Sequence, residues 1–404
     1  MPASGHVNPV LPVVAALVRR GIDIRFCATE EFRSRVEATG ATFLPYPAGV
    51  LESADIAAAT QSGSSVAVVE RILEAASQFT PWLVEQLQDR RPTAVLHDSN
   101  TIWGRMAAAS CSLPRISFMT TVFIGPASLR GLSLREQLVS MGPTLRQVAH
   151  VVGLRRRLIK EYGSAMPPSP MFPMKGDLTI FPVPEEFQGP DKRRDETCHY
   201  VGPTVRVDPG PEVATGGIDS ALQDFLAAGT PPVVVSLGTL HAGSPDFFAD
   251  CVAVLSELGV RGIVVTGPSV GADAVAGTDD ILVRQRIPQV PVLTRARAFL
   301  THGGMNSALE GIACGLPLVV VPQQPEQLLI GLTLADRDAA VVLRQNVSGR
   351  PVSRDALRGA LQRVLTEPAM AAAARSLRDT FAGYGGAPAA ADLVEEFLSE
   401  RARP

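Results

Sequence analysis

The residues with the most informative types and spacing lie in THGGMNSALEGIACGLPLVVVPQQPEQ, from Thr301 to Gln327. An apolar run ends at Thr301, followed by His302, Gly303 and Gly304 and then by a helical pattern starting near Asn306 and Ser307. Glycines let a backbone come close to a ligand. A helix start offers unpaired N–H groups and the positive end of a dipole, which suits a diphosphate. His302 can donate a hydrogen bond to the same phosphates. Glu310 follows one turn later, where a carboxylate can accept from both hydroxyls of a ribose. The next apolar run ends in Gln323-Gln324-Pro325-Glu326-Gln327, an acid and an amide at a strand's carboxyl end, where open α/β sheets bind ligands. Taken alone, Gly303-Gly304 reads as an ordinary strand-to-helix turn capped by Asn306 or Ser307. The whole set at these spacings predicts a nucleotide site.

Such a site needs parallel strands to carry it. Short continuous apolar runs at Val233–Leu237, Ile263–Thr266, Ile281–Val283, Ala298–Thr301 and Pro317–Val321 suit parallel strands buried on both faces. Helical patterns at Asp246–Leu258 and Ser307–Cys314 alternate with them. The first half repeats the alternation, with strands at Ile22–Ala28, Ala94–His97 and Arg115–Phe118 and helices at Asn8–Arg20 and Val66–Arg90. Asn8-Pro9 is expected to open the first helix and Gly21 to close it. This predicts an α/β protein of two doubly wound domains, joined within the Gly- and Pro-rich stretch Pro203–Gly217. Phe123–Pro173 reads as a helical excursion near a binding cleft, and Ala389–Arg403 as a final helix. The predicted domains are 1–208, an amino-terminal acceptor domain, and 209–386, a nucleotide-sugar domain. Residues 387–404 are expected to pack back on the first.

With 404 residues there is room for two domains. The 37 Lys and Arg against 40 Asp and Glu give a formal charge of -3, which argues against a nucleic-acid partner. The basic run Arg155, Arg156, Arg157 and Lys160 reads as a solvated helix face. The five cysteines are dispersed, odd in number and free of any CxxC, so neither a disulfide framework nor structural zinc is expected, and a reducing, cytoplasmic setting fits. No apolar run reaches the roughly 18 residues of a membrane span. Gly-x-Gly-x-x-Gly and the Gly-x-x-x-x-Gly-Lys-Ser/Thr loop are both absent. Asp336-Arg337-Asp338 matches the DxD pattern of metal-dependent transferases, but it lies away from the nucleotide segment and short motifs recur by chance. No metal and no cofactor is expected.

The sequence resembles the UDP-dependent glycosyltransferases of GT-B fold, and within them the bacterial macrolide glycosyltransferases. The resemblance rests on GHVNPVLP (Gly5–Pro12), HDSNTIWGR (His97–Arg105), YVGP (Tyr200–Pro203), SLGT (Ser236–Thr239), RIPQVPVL (Arg286–Leu293) and the Thr301–Gln327 block, in family order over nearly the whole chain. It implies two Rossmann-like domains facing each other across a cleft. It also implies that Thr239 and His302 hold the diphosphate, with Gly304, Asn306 and Ser307 at the helix start. Glu310 would take the ribose, and Glu326 and Gln327 the sugar hydroxyls, which suits glucose over a deoxysugar. Ile287 would offer its backbone to uracil, with Gln289 nearby. Arg286 replaces the aromatic that stacks on uracil in many relatives; a guanidinium plane can also stack, but the preference for UDP is weakened.

The same resemblance implies that His6 is the general base for an acceptor hydroxyl and that Asp98 orients it. An alcohol needs such a base, and histidine titrates near working pH. In-line attack would invert the anomeric centre, turning an α-linked UDP-sugar into a β-glycoside. Each residue alone could be a plain loop or turn residue. His97, His150, His199 and His241 show no metal-ligand spacing and read as structural or exposed. The acceptor is expected to be a small, apolar, hydroxylated natural product such as a macrolide or polyphenol. Phe123, Ile124, Met141, Met166, Met171 and Phe172 are candidates for lining its pocket, or for core. The expected assembly is a monomer or weak homodimer.

Relatives begin with an apolar strand ahead of the Gly-His loop. Here Met1-Pro2-Ala3-Ser4 stands in its place, so either an upstream start or an impaired member is expected, the former preferred. Two other functions fit the nucleotide block: a UDP-sugar epimerase and a non-catalytic nucleotide-sugar binder.

Overall fold

The computed structural model describes residues 1–61, 65–123, 125–141, 147–167, 173–189, 191, 195–204, 219–238, 243–267 and 270–402. They form two compact units. The first holds Met1–Pro126, Met141–Val205 and Gly383–Pro404; the second holds Ala127–Ser140 and Arg206–Ala382. Residues 127–140, which the sequence reading assigned to the first domain, therefore group with the second. Within the second unit they are anchored by Glu136, whose carboxylate accepts from the Arg344 guanidinium at 2.6 Å and from the Ser133 amide at 2.7 Å.

The second unit is a six-stranded parallel sheet. Its strands are β7 (Val233–Ser236), β8 (Gly262–Val265), β9 (Ile281–Arg284), β10 (Ala298–Thr301), β11 (Leu318–Val320) and β12 (Ala340–Val342). The spatial order is β12-β11-β10-β7-β8-β9. Leu300 pairs with Val235 and Thr301 with Ser236. The chain thus builds outward from β7 to β9, then restarts at β10 on the other side of β7. The continuous apolar character of these strands follows from burial on both faces. Val233, Val235 and Leu300 pack with Phe248, Leu255 and Leu361 on one side. On the other, the Met305–Ala313 helix comes so near that a Cβ on Gly311 would lie 2.7 Å from Leu318 and 3.0 Å from Phe299.

The first unit contains β1 (Arg25–Ala28), β2 (Thr42–Pro45), β3 (Val95–Asp98), β4 (Arg115–Phe118), β5 (Leu178–Phe181) and β6 (Cys198–Tyr200). All pairings are parallel, but the strands make two sheets, β1-β2 and β3-β4-β5-β6. No strand among the described residues joins β1 to β3. One core packs the Leu11–Arg19 helix and the terminal Gly386–Ala402 helix onto Phe118 and Ile180, through Val14, Leu17, Ala390 and Val394. Arg20 adds ion pairs to Asp392 at 2.7 Å and Glu395 at 2.5 Å. A second core lies under the Ser65–Arg90 helix. There Tyr46 stacks on Phe79 at 4.5 Å and accepts a hydrogen bond from the Trp103 indole at 3.1 Å.

The first helix differs from its expected bounds. It starts at Leu11, with Val10 as cap residue and Pro12 rather than Pro9 in the first turn. Asn8 does not cap it; its side-chain carbonyl accepts from Arg35 at 2.9 Å. Gly21, at φ +85°, follows the helix end as expected. The excursion after Phe123 is helical at Pro126–Arg130, Leu134–Met141 and Val148–Tyr162. Arg156, Arg157 and Lys160 are exposed on the last of these. No helix among the described residues is long and apolar enough to cross a membrane.

Candidate active site

Open α/β sheets bind ligands beyond the carboxyl ends of their strands, where the strand order reverses. In the second unit that reversal lies between β7 and β10. Gly238 follows β7 and His302 follows β10. The contact between them is close: a Cβ on Gly238 would sit 2.7 Å from His302 Cε1, and one on Gly304 would sit 2.3 Å from His302 Nε2. The imidazole therefore fits only because both neighbours are glycine. Gly303 adds a backbone constraint, at φ +80° with Val320 Cγ1 2.6 Å from where its Cβ would be. The three glycines hold the ring and turn the chain into the Met305–Ala313 helix.

That helix starts at Met305, with Gly304 as cap residue and no side-chain cap. The reading of Asn306 or Ser307 as the cap is thus corrected, and both sit in the first turn. The amides of this turn are the ones a diphosphate could take. One turn on, Glu310 accepts from Gln289 Nε2 at 2.5 Å, and the same nitrogen lies 3.5 Å from Ser307 Oγ. Burial raises the Glu310 carboxyl above its usual range, and the Gln289 hydrogen bond offsets part of this. Ser307, Glu310 and Gln289 are thereby gathered into one cluster. Ile287 is half-buried in the loop after β9, and Arg286 beside it is exposed.

Glu326 and Gln327 open the Pro325–Ala335 helix. Glu326 is half-buried, but Gln327 is buried and its side-chain carbonyl accepts from the Gln323 amide at 2.8 Å. That oxygen closes the loop after β11. Thr239 and His241 lie outside the described residues, as do Ile124, Met171, Phe172 and the side chain of Met141. Met166 is core, packed with Leu154 and Leu158. Phe123 is half-buried, its backbone held by Gln188 through bonds of 2.8 and 2.9 Å.

In the first unit, His6 sits in a short helix, Ser4–Val7, and Asp98 is the last residue of β3. His6 Nδ1 is 2.6 Å from Asp98 Oδ2. The other carboxylate oxygen accepts from the Asn100 amide at 2.7 Å. Burial alone would raise the Asp98 carboxyl. The positive charges of His6 and the Met1 ammonium, with the His6 and Asn100 hydrogen bonds, outweigh it and hold the group well below the usual carboxylate range. An ionised Asp98 fixes the proton on Nδ1 and leaves Nε2 as the basic nitrogen. Thr120 completes the group, its hydroxyl 2.8 Å from His6 Nδ1 and donating to Asp98 Oδ1 at 3.2 Å. Sequence reasoning missed Thr120, since no spacing relates it to the other two; only β4, lying beside β3, brings it there.

His97 is structural. Its Nδ1 bonds the Asp98 carbonyl at 3.0 Å, and burial pushes it down to about 4. The two outer residues of the DxD pattern lie in the turn after the Pro325–Ala335 helix, Asp338 at φ +55°. Among the described residues, one group has metal-ligand geometry: Glu70, Glu74 and His150, with ligand atoms within 4.8 Å of one another. Sequence spacing could not reveal it, because two separate helices supply it.

The glycine constraint gives a direct prediction. Gly303→Ala combines left-handed strain with a clash into core and should cost about 3 kcal/mol. Gly259→Ala has a similar φ of +61° with nothing within 4 Å, and should cost only about 1 kcal/mol. Denaturant unfolding of the two variants checks this; equal losses would remove the crowding argument.

Comparison with known proteins agrees with this geometry. A family model described as UDP-glucoronosyl and UDP-glucosyl transferase matches residues 222–378, which span the six-stranded sheet and its glycine turn. Demethyllactenocin mycarosyltransferase of Streptomyces fradiae is 27% identical over 412 residues, covering 100% of this chain and 86% of that protein. NDP-glycosyltransferase YjiC of Bacillus licheniformis is 27% identical, covering 99% of this chain and 96% of its own length. Among solved structures, the glycotransferase of kitacinnamycin superposes with a TM-score of 0.78 at 25% identity, over 98% of this chain and 96% of that one. CalG4, the calicheamicin glycosyltransferase, gives 0.72 at 26%, over 99% and 97%. The glycine turn at the sheet's switch point, a histidine held by a carboxylate and similarity along the whole chain point the same way: the chain is similar throughout to glycosyltransferases, and its residues 222–378 match the UDP-glucoronosyl and UDP-glucosyl transferase family.

Proposed function

We propose that this glycosyltransferase moves a hexose, glucose first, from a UDP-sugar to a hydroxyl of a small apolar natural product, with inversion at the anomeric carbon. The observation that carries the reading is the 2.6 Å contact between His6 and Asp98. It prepares Nε2 to take the acceptor's proton as the hydroxyl attacks. Asp98 then stabilises the imidazolium that forms, and Thr120 braces both. The first turn of the Met305–Ala313 helix and His302 would meet the charge developing on the departing diphosphate. Glu310 would accept the ribose hydroxyls and Glu326 those of the sugar.

The acceptor class follows the relatives, whose names include an oleandomycin glycosyltransferase of Streptomyces antibioticus. A second donor reading has specific support. The Gln327 side-chain oxygen accepts from the Gln323 amide, and the position that the resemblance assigns to uracil stacking holds Arg286 rather than an aromatic. Both weaken the case for UDP-glucose against a deoxysugar on another diphosphonucleoside. A donor panel separates the two readings: UDP-glucose, TDP-glucose and a TDP-deoxysugar, each with a macrolide and a polyphenol, product mass and anomer recorded. A β-linked hexose product from UDP-glucose supports the proposal. Turnover of the deoxysugar alone would favour the second reading, and isomerised donor without glycoside would indicate epimerisation.

His6→Ala should lower kcat/KM by about 10²- to 10⁴-fold while leaving UDP affinity nearly unchanged by calorimetry. Thr120→Val should lower kcat and move the pH–rate profile without altering donor KM. Equal loss of rate and UDP affinity in His6→Ala would make His6 structural.

Glu310 gives a pH prediction. Binding a ribose requires its ionised form, and its folded carboxyl is raised. UDP affinity should therefore fall on acidification, beginning above the ordinary glutamate range, and Glu310→Gln should bind more weakly with a flat pH dependence. An unchanged pH dependence in Glu310→Gln would exclude this role.

A further inference from the structure

Two neighbouring helices of the first unit bring three metal-ligating side chains to one place. Glu70 and Glu74 lie one turn apart on the Ser65–Arg90 helix, so their side chains share a face. His150 comes from the first turn of the Val148–Tyr162 helix. Ligand atoms of all three lie within 4.8 Å of one another.

The distances are those of ligands around an ion rather than of hydrogen bonds. His150 Nε2 stands 3.6 Å from Glu70 Oε1 and 3.6 Å from Glu74 Oε1. At that length no hydrogen bond forms. Two ligand atoms on a tetrahedral ion, each about 2.1 Å from it, stand about 3.4 Å apart. The other carboxylate oxygens are held from outside. Gln147 Nε2 donates to Glu70 Oε2 at 2.9 Å, and Arg71 donates to Glu74 Oε2 at 3.1 Å. Each carboxylate is thus fixed by one oxygen while the other faces the imidazole. Outer partners of this kind orient the ligands of a metal. One imidazole with two carboxylates suits zinc, whereas magnesium and calcium take oxygen ligands. The side chains of Glu70, Glu74 and His150 are 20%, 36% and 52% exposed, which gives an ion a path in and room for a water.

The place in the fold gives such an ion a task. Only Leu154 and Leu158 of the Val148–Tyr162 helix are buried, in the core under the Ser65–Arg90 helix. Val148 and Val152 remain 41% and 40% exposed. The amino end of that helix therefore depends on its polar contacts.

We propose that Glu70, Glu74 and His150 form a zinc-type divalent metal site, with water as fourth ligand, which fastens the amino end of the Val148–Tyr162 helix to the Ser65–Arg90 helix. It uses neither His6, Asp98 nor the glycine turn, so it stands apart from the transferase reading.

Calorimetry and thermal unfolding of the whole chain, stripped with a chelator and titrated with zinc chloride, test this. The wild type should bind zinc and gain in thermal midpoint. His150→Ala and Glu74→Gln should each weaken binding by at least about 100-fold, and Gln147→Ala by about 10-fold. His199→Ala, which removes an exposed histidine elsewhere, should bind as the wild type does. Without zinc all four variants should melt with the wild type. In nitrogen-15 NMR of the unsubstituted protein, the His150 Nε2 signal should shift with zinc and not with magnesium. Absence of zinc binding would overturn the proposal. So would unchanged affinity in both His150→Ala and Glu74→Gln, since the zinc would then sit elsewhere. An equal response to magnesium would do so too, because the cluster would then be a patch of negative charge only.

Discussion

The account depends on one hydrogen bond. His6 lies in a four-residue helix whose Val7 is buried in the core, and Asp98 lies at the end of a parallel strand anchored by its pairing with β4. The 2.6 Å contact ties the first to the second. It also sets the chemistry, because a carboxylate on Nδ1 determines which nitrogen is basic. Thr120, delivered by the next strand, limits how the pair can rotate. Three residues from three elements thus become one group, because parallel strands end side by side.

The same geometric rule governs the second unit. Where the strand order reverses between β7 and β10, the chain leaves both strands in glycine, and His302 occupies the space the missing side chains would have filled. Close approach is required twice there, once of ring to backbone and once of backbone to the helix start. The glycines are a packing requirement before they are a ligand feature, and a diphosphate would use amides that this packing has already oriented.

The unit that carries the glycine turn was legible because each of its signals is local. The strand Ala298–Thr301, the glycine turn and Glu310 one turn on lie in a few consecutive residues, and continuous apolar runs marked the buried strands. Boundaries moved by one to three residues where caps differed, as with Gly304 in place of Asn306 or Ser307. The strands β2, β5, β6 and β12 were not read. The histidine–carboxylate pair was legible only through family resemblance, since 92 residues separate its members. Thr120 and the grouping of residues 127–140 with the second unit carry no sequence signal, because both arise from tertiary packing. Met166 was ambiguous between pocket and core for the same reason, and packing decided for core.

The central claim, that Asp98 holds His6 with a proton on Nδ1 and a bare Nε2, is tested most directly by nitrogen-15 NMR of the imidazole in the resting protein at neutral pH. The account predicts a single tautomer protonated at Nδ1, with a strongly deshielded proton that is lost in Asp98→Asn. A ring protonated at Nε2, or a mixture of tautomers unaffected by Asp98→Asn, would contradict it.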